Sequence, residues 1–328
     1  MAKSFLLLFA VLSLGGGLFW PLNKENHFKK SLKPSFYQHP LSIEALRKTD
    51  FPGSKIIIEK KLEPGSNYDR FLASYRSQGL KIYALLTVPF GKKPENGWPA
   101  IIFNHGYIPP REYKTTEKYL AYTDGFSRNG YVVFKPDYRG HGNSEGEARG
   151  GYGSNDYSID ILNSISSIKN YNDVNSEKIG MWGHSMGGQL TLRCMVASKD
   201  IKAGVVWAGV VAPYSDLVGG WLKKKPSAVY ASENISWEEI KEKSKDSALW
   251  DSVSPNSFLK DLSGPIQLHH GTGDKVVPYQ FSEKLADQLK KEGKDYEYYT
   301  YEEDNHNISA NFGKAMRRSV EFFDKYLK

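Results

Sequence analysis

The chain has 328 residues, of which 40% are hydrophobic and 25% are charged, and this ordinary globular composition excludes a largely disordered protein. Its one cysteine, Cys194, excludes an internal disulfide and has no metal-ligand partners at a suitable spacing. The net charge of +7 comes from 44 basic and 37 acidic residues that are scattered along most of the chain, so nucleic-acid binding is not expected.

The first 23 residues form a segment with its own character. Lys3 precedes an apolar run over 5–14, and no charge occurs in 4–23. The apolar run resembles the h-region of a signal peptide, whereas the whole uncharged span is long enough to cross a bilayer. No clean Ala-x-Ala cleavage site follows. We therefore predict that 1–23 is a signal peptide or a membrane anchor, and that the protein is extracytoplasmic, either secreted or tethered to a membrane.

The next segment, 24–54, is polar and has no clear hydrophobic period. It contains Pro34, Pro40 and Pro52, which disfavour a continuous helix or a central strand. We expect a linker or an arm that wraps around the following domain.

Strands dominate from residue 55 onward. Three consecutive antiparallel strands are predicted over 55–63, 68–76 and 80–88, separated by turn sequences. Short apolar strands then alternate with helices along the rest of the chain. The predicted strands are 99–104, 131–135, the run into Ser185, 203–207, 265–269 and 296–301, and the predicted helices are 156–170, 189–198, 279–292 and 309–327. This alternation predicts an α/β fold with a mostly parallel sheet that is covered on both faces.

The alternation breaks over about 211–260. This stretch is long, charged and helix-prone, and it carries Trp221, Trp237 and Trp250. In a parallel sheet such an insertion lies over the carboxyl ends of the strands, where ligands bind. We predict a helical cap over the substrate pocket, the alternative being a peripheral helical excursion.

The most informative pattern is Gly183-His184-Ser185-Met186-Gly187, between an apolar strand and a helix. Glycines on both sides of a serine permit the crowded strand-to-helix turn that exposes a nucleophilic hydroxyl. A glycine-rich turn can also be only a tight connection. The nucleophile interpretation therefore depends on partners for Ser185.

Two residues downstream fit the roles of acid and base. Asp274 lies in a glycine-framed loop directly after the strand 265–269, and His306 lies between the last strand and the last helix. The chain order of serine, acid and histidine is the order expected in an α/β-hydrolase sheet. We predict that Ser185, Asp274 and His306 form a catalytic triad.

Other histidines and acids fit less well. His269 and His270 are expected to line the site or to pack beneath it, and His141 is expected to be structural. His184 is expected to point elsewhere, because neighbours in a turn do not face each other. The aspartates that could compete for the role of acid lack the glycine frame of Asp274: Asp251, Asp261 and Asp304.

The oxyanion is expected to be stabilised by two backbone N–H groups. Met186 starts the helix after the serine, and Tyr107 follows the early strand that ends near Asn104. His105 is interpreted as structural. Serine hydrolysis through an acyl-enzyme requires no metal and no organic cofactor, so none is predicted. The substrate-binding residues stay undefined at this point.

These motifs, with the run 137–144 and the loop 271–278, resemble an α/β-hydrolase and, more narrowly, the catalytic domain of the prolyl oligopeptidase family. The resemblance covers about 55–328, and it implies a serine hydrolase that cleaves short peptides or acyl-amino bonds. Peptidases of that family carry a β-propeller before this domain, and the residues before 55 are too few for one.

The motif Gly183 to Gly188 is equally typical of esterases, so a carboxylesterase that acts on small acyl or aryl esters is the alternative. Two further alternatives are an enzyme that transfers the acyl group to an alcohol other than water and a non-catalytic protein that kept the fold. The expected substrate is a small molecule or a short peptide.

Overall fold

The computed structural model of the protein describes residues 39–222 and 247–328. The predicted signal peptide or anchor over 1–23 lies outside the described residues, as do the first part of the predicted arm and the middle of the predicted cap. No helix in the two described ranges is long and apolar enough to cross a lipid bilayer.

A single nine-stranded sheet organises the described ranges, with the spatial order β1-β2-β3-β5-β4-β6-β7-β8-β9. The first three strands form an antiparallel meander, β3 pairs antiparallel with β5, and the strands from β4 to β9 are parallel. This confirms the predicted mostly parallel sheet. The strands are β1 (Ile57–Leu62), β2 (Tyr68–Ser77), β3 (Leu80–Pro89), β4 (Trp98–Asn104), β5 (Val132–Pro136), β6 (Val174–His184), β7 (Ala203–Trp207), β8 (Ile266–Gly271) and β9 (Tyr296–Tyr301).

Helices cover both faces of the sheet. They are α1 (Ile43–Arg47), α2 (Leu120–Ser127), α3 (Asp156–Lys169), α4 (Met186–Ala197), α5 (Tyr214–Asp216), α6 (Ser247–Val253), α7 (Gln280–Lys291) and α8 (Phe312–Leu327), with a π-helical turn at Leu217–Trp221 and a 3-10 helix at Pro255–Asp261. The sequence did not predict α1 or α2. Helix α1 lies against α4, where the Arg193 guanidinium donates to the Leu41 carbonyl and Arg47 donates to the Val196 carbonyl.

The central strands β4, β5, β7 and β8 are almost entirely buried because their side chains enter two cores in alternation. In β4, Ile101 packs with α2 and α8, whereas its neighbour Ile102 packs with α3 and α4. In β6, Trp182 belongs to the same core as Ile101, and its neighbour Met181 belongs to the same core as Ile102. Burying a side chain of this size stabilises the fold by roughly 1.5–3 kcal/mol, so a polar replacement on either face is strongly destabilising.

The parallel strands bring their carboxyl ends to one edge of the sheet. Asn104 ends β4 and Ser185 follows β6, while Asp274 follows β8 and His306 follows β9. Residues far apart in the sequence are thereby placed in neighbouring loops at this edge, where open α/β sheets bind their ligands.

Candidate active site

Ser185 lies at the turn between β6 and α4 with φ 56° and ψ −119°. A positive φ is sterically strained for a serine, and such strain is typical of a nucleophile turn. The backbone is held in place because the Ser185 N–H donates to the Trp207 carbonyl at 3.0 Å and the Ser185 carbonyl accepts from Val210 at 3.1 Å. A Cβ at Gly187 would lie 2.0 Å from the Asn104 carbonyl oxygen, so only glycine fits there. The Ser185 hydroxyl is therefore fixed at the sheet edge.

Asp274 and His306 are in direct contact. His306 Nδ1 lies 2.7 Å from Asp274 Oδ2, and the Asp274 side chain is completely buried. The other carboxylate oxygen, Oδ1, accepts from the N–H groups of Val276 at 2.7 Å and Val277 at 3.0 Å. The structure thus brings together the predicted acid and the predicted base, whose sequence positions are 32 apart.

The loops that carry these two residues pack backbone against backbone. A Cβ at Gly271 would lie 2.3 Å from the Asp304 carbonyl oxygen, so a side chain there would push the two loops apart. The Gly273 N–H donates to the same carbonyl at 3.0 Å. The glycine frame that singled out Asp274 in the sequence is explained by this close approach.

His270 lies beneath Asp274, as one of the two sequence alternatives had it. Its Nε2 is 3.1 Å from Asp274 Oδ2 and 3.1 Å from the Val277 carbonyl oxygen. Both neighbours are acceptors, so we assign the proton to Nε2, and Nδ1 accepts from the Ser282 hydroxyl at 2.8 Å. The Asp274 carboxylate consequently receives four hydrogen bonds.

These hydrogen bonds determine the charge of Asp274. Burial alone raises the pKa of this carboxyl group, but the hydrogen bonds from His270 and His306 hold the pKa well below its ordinary value of 3.8. Asp274 is therefore a carboxylate at neutral pH. A carboxylate on His306 Nδ1 selects the tautomer whose Nε2 is free to accept a proton.

His306 has a partly exposed side chain, with 16% of its surface accessible. Its ring centroid lies 4.6 Å from that of His184, the residue directly before Ser185. Among the residues that the structure describes, the Ser185 hydroxyl makes no hydrogen bond, to His306 or to any other group. Nucleophile–base hydrogen bonds are often long in free enzymes and shorten when substrate binds.

The ring of His184, which is not expected to face Ser185, has both nitrogens within hydrogen-bond distance of other residues. Its ring packs beside His306, and its Nε2 lies 3.0 Å from the His306 carbonyl oxygen. Its Nδ1 lies 2.9 Å from the hydroxyl of Tyr119, a residue that the sequence did not single out. Burial, with a smaller effect of the neighbouring His306, lowers the pKa of His184 to about 3, so the ring is neutral at physiological pH.

The two predicted oxyanion donors belong to segments that adjoin Ser185. A Cβ at Gly106 would lie 3.2 Å from the Ser185 Cβ, which places the loop of Tyr107 beside the serine. The Gly106 N–H donates to Tyr119 at 2.9 Å, so the Tyr107 N–H is the next one along this loop. Met186 is the first residue of α4, and the first N–H groups of a helix have no partner within it.

Aromatic side chains lie next to the loop that carries Asp274, here called the acid loop. The Trp221 indole N–H donates to the Val276 carbonyl at 3.0 Å, two residues after Asp274. The Trp221 ring contacts Tyr152 and Phe281 edge-on, at centroid distances of 6.1 Å and 6.2 Å. The first described part of the predicted cap therefore reaches the acid loop through Trp221.

A second buried polar cluster lies at the end of β5. The ring of His105 is stacked between Tyr113 and Tyr138 at 4.4 Å and 4.2 Å, in line with a structural role. The carboxylate of Asp137 accepts from the Thr115 hydroxyl at 2.5 Å, and its Oδ1 has no partner within the described residues. Burial raises the pKa of Asp137, and Thr115 and Lys135 offset only part of that effect.

No group of three or more histidine, cysteine, aspartate or glutamate residues in 39–222 and 247–328 is placed to bind a metal ion. The sheet edge thus carries a strained serine turn after β6 and a hydrogen-bonded pair of a carboxylate and an imidazole after β8 and β9. These residue types are the ones that a serine hydrolase uses.

The known proteins that this chain resembles are peptidases and esterases. A family model described as the prolyl oligopeptidase family matches residues 118–328. The uncharacterized peptidase YuxL of Bacillus subtilis is 24% identical over 95% of this chain and 49% of its own length. The putative esterase YitV of the same species is 26% identical over 70% of this chain and 89% of its own length.

A solved structure shares the architecture. The acylaminoacyl peptidase of Pyrococcus horikoshii superposes with a TM-score of 0.64 at 24% identity, over 80% of this chain and 42% of that one. This likeness shows the α/β-hydrolase fold. The chain spans about half the length of YuxL and less than half of the acylaminoacyl peptidase.

Proposed function

The chain belongs to the prolyl oligopeptidase family and is a serine hydrolase, and on that premise we propose that it cleaves short peptides or acylated amino acids through Ser185, His306 and Asp274. The observation that carries the proposal is the 2.7 Å contact between His306 Nδ1 and a buried Asp274 carboxylate, at the sheet edge where Ser185 is held in a strained turn. The carboxylate that orients His306 and the strained turn at Ser185 support these roles.

The proposed mechanism follows from these positions. His306 Nε2 accepts the Ser185 proton as the hydroxyl attacks the substrate carbonyl carbon, and the Asp274 carboxylate stabilises the imidazolium that forms. The oxyanion is stabilised by the N–H groups of Tyr107 and Met186, each contributing roughly 3 kcal/mol in the transition state. His306 then protonates the leaving amine. Water repeats the same steps on the acyl-enzyme and releases the acid.

The aromatic border supports an apolar acyl group. Trp221 contacts both Tyr152 and the loop that carries Asp274. A Cβ at Gly151 would lie 2.8 Å from the Met186 sulfur, so the loop before Tyr152 is in contact with the residue next to the nucleophile. Apolar and aromatic walls with few polar groups are typical of small-molecule sites. We expect substrates with an apolar side chain on the acyl side of the cleaved bond.

A carboxylesterase is the second candidate. It is favoured by the relative YitV, a putative esterase whose own length is covered to 89% by the match with this chain. Ester and amide hydrolysis use the same triad, and they differ in the leaving group that His306 must protonate.

A rate comparison on paired substrates tests the proposal. Aminoacyl and dipeptidyl p-nitroanilides are compared with p-nitrophenyl esters of matching acyl groups, with Ser185→Ala as the blank. Ser166→Ala, on a partly exposed position of α3, controls for substitution of a serine elsewhere. We expect anilide turnover that Ser185→Ala abolishes. Turnover of esters alone contradicts peptide cleavage, and turnover that survives in Ser185→Ala contradicts the nucleophile.

We further propose that the protein is exported, on the strength of the uncharged apolar segment 4–23. It would then be secreted after cleavage or tethered to a membrane by this segment. The N-terminal sequence of the mature protein and its distribution between membrane and soluble fractions test this. A chain that still begins at Met1 or Ala2 in a soluble cytoplasmic fraction contradicts export.

A further inference from the structure

Three hydrogen bonds run in series across the site, from the oxyanion loop to the backbone of the base. The Gly106 N–H donates to Tyr119 Oη at 2.9 Å, Tyr119 Oη lies 2.9 Å from His184 Nδ1, and His184 Nε2 lies 3.0 Å from the His306 carbonyl oxygen. We propose that Tyr119 and His184 are positioning residues that join the two halves of the catalytic apparatus. The inference rests on the proposed function of Ser185 and His306.

The direction of the three hydrogen bonds is determined by their ends. A backbone N–H can only donate and a carbonyl can only accept. Tyr119 Oη therefore accepts from Gly106 and has its own proton left for His184 Nδ1. His184 must then carry its proton on Nε2 and donate it to the His306 carbonyl, which is the neutral tautomer. The chain of donors thus runs in one direction, from the oxyanion loop to the base.

Backbone strain at Tyr119 supports a functional role. Tyr119 precedes α2 with φ 62° and ψ 25°, in the left-handed region. That conformation costs roughly 1–2 kcal/mol for a residue with a Cβ. Among the described residues, the phenol of Tyr119 is the group that satisfies both Gly106 and His184 at this point. Strain that places one hydroxyl between two such partners is expected where position matters more than stability.

The series of hydrogen bonds through Tyr119 and His184, called the relay from here on, fixes two catalytic groups relative to the nucleophile. Gly106 precedes the proposed oxyanion donor Tyr107, and His184 precedes Ser185 in the chain. His306 is held at two points, because Asp274 binds its ring at Nδ1 and His184 binds its carbonyl oxygen. Small displacements of catalytic groups lower rates strongly, so loss of the relay should lower kcat more than it weakens substrate binding.

The test compares two tyrosine hydroxyls that each make hydrogen bonds inside the protein. Tyr119→Phe removes the hydroxyl between Gly106 and His184. Tyr75→Phe removes a buried hydroxyl that donates to the Asp160 carbonyl at 2.8 Å and takes no part in the site. We expect Tyr119→Phe to lower kcat about 10-fold with KM changed less than about twofold, as for partners that hold a catalytic ligand in place. Tyr75→Phe should lower the melting temperature by a similar amount and leave kcat unchanged.

Substitutions at His184 test the same series of hydrogen bonds independently of Tyr119, and a conservative substitution there should restore most of the activity. His184→Gln keeps one acceptor and one donor and should retain kcat within about threefold, whereas His184→Leu keeps neither and should lose about 10-fold. The double variant Tyr119→Phe/His184→Leu should lose little more than either single variant, because the two residues act through one chain. If Tyr119→Phe does not fold, the comparison of Gln with Leu at position 184 carries the test.

The outcomes separate the relay from the proposed function. If Ser185→Ala abolishes activity while Tyr119→Phe keeps the kcat of the wild type, the relay is overturned and the serine mechanism stands. Equal kcat for His184→Gln and His184→Leu also overturns the relay. If Ser185→Ala remains active, the proposed function fails, whatever the other variants do.

Discussion

Two buried aspartates at the same edge of the sheet differ in their ionisation. Asp274 follows β8 and Asp137 follows β5, both strands of the parallel part of the sheet, and both side chains are buried. The pKa of Asp274 lies well below 3.8, whereas the pKa of Asp137 is raised. Burial penalises the charged form of both, so the difference comes from their hydrogen-bond donors.

The donors can be compared atom by atom. Asp274 accepts from two backbone N–H groups and two imidazoles, which use both of its oxygens. Asp137 accepts from the hydroxyls of Thr115 and Ser144 on Oδ2 only, the second at a long 3.4 Å, and its Oδ1 has no partner among the described residues. A buried carboxylate keeps its charge where four donors face it, and only such a carboxylate can stabilise an imidazolium.

Asparagine at the two positions should give the largest contrast. Asp274→Asn reverses the tautomer of His306 and removes the negative charge, so kcat/KM should fall by about 10⁴. Asp137→Asn keeps the backbone carbonyl that faces His105 and should leave kcat/KM within about threefold of the wild type. Steady-state rates on the best substrate, with circular dichroism as the folding control, decide the matter. Similar losses of kcat/KM in the two variants would contradict the different roles of the two aspartates.

His270 sharpens the comparison, because it supplies Asp274 with a donor that Asp137 lacks. His270→Leu removes one hydrogen bond to a buried charge, which is worth about 1.5–3 kcal/mol, so we expect kcat to fall at least 10-fold. His270→Gln can still donate to Asp274 and should recover part of the loss. An unchanged kcat in His270→Leu would show that the other donors suffice for Asp274.

The pH dependence of stability should differ in direction between the two aspartates. The lowered pKa of Asp274 contributes stability that is present above pH 3.8 and is lost as the pH falls below it. The raised pKa of Asp137 has the opposite effect on stability, because the folded protein binds this proton more tightly than the unfolded protein does. Stability is then lost as the pH rises above 3.8.

Urea unfolding between pH 4 and 7 measures the Asp137 part of this effect. The free energy of unfolding of Asp137→Asn, relative to the wild type, should increase with pH by about 1.4 kcal/mol per unit where one proton differs. A difference that stays constant over this range would contradict the raised pKa.

Buried histidines add a smaller effect at lower pH. His184 and His141, whose pKa values are lowered by burial to about 3 and about 4, should both destabilise the fold progressively as the pH falls below 6.5. His184→Gln should weaken this acid sensitivity relative to the wild type. An identical profile for the two proteins would contradict a neutral His184.

The sequence predicted the strands well because two covered faces require near-continuous apolar runs, which are easily recognised. It missed α2, an eight-residue helix that contains Gly125 and has little intrinsic helix preference. The packing of Phe126 against Phe323 and of Gly125 against Met316 supplies what the local sequence lacks. Tertiary contacts of this kind cannot be inferred from local periodicity.

The site shows the same limit. Glycines that mark turns required by the backbone geometry predict Ser185 and Asp274 as site residues, and the position after the last strand predicts His306. Tyr119 carries no such signal, and its role depends on distant residues that the fold brings together. The turn predicts only that His184 does not face Ser185. Its hydrogen bond to the His306 carbonyl depends on a residue that the fold brings close from far along the chain.

Covalent labelling tests the central claim most directly. Phenylmethylsulfonyl fluoride reacts with a serine hydroxyl only when a neighbouring base activates it, and peptide mass mapping locates the adduct. The account predicts one adduct, on Ser185, that forms at least about 100-fold more slowly in His306→Ala and in Asp274→Ala. Labelling at another residue, or of Ser185 at an unchanged rate in His306→Ala, would contradict it.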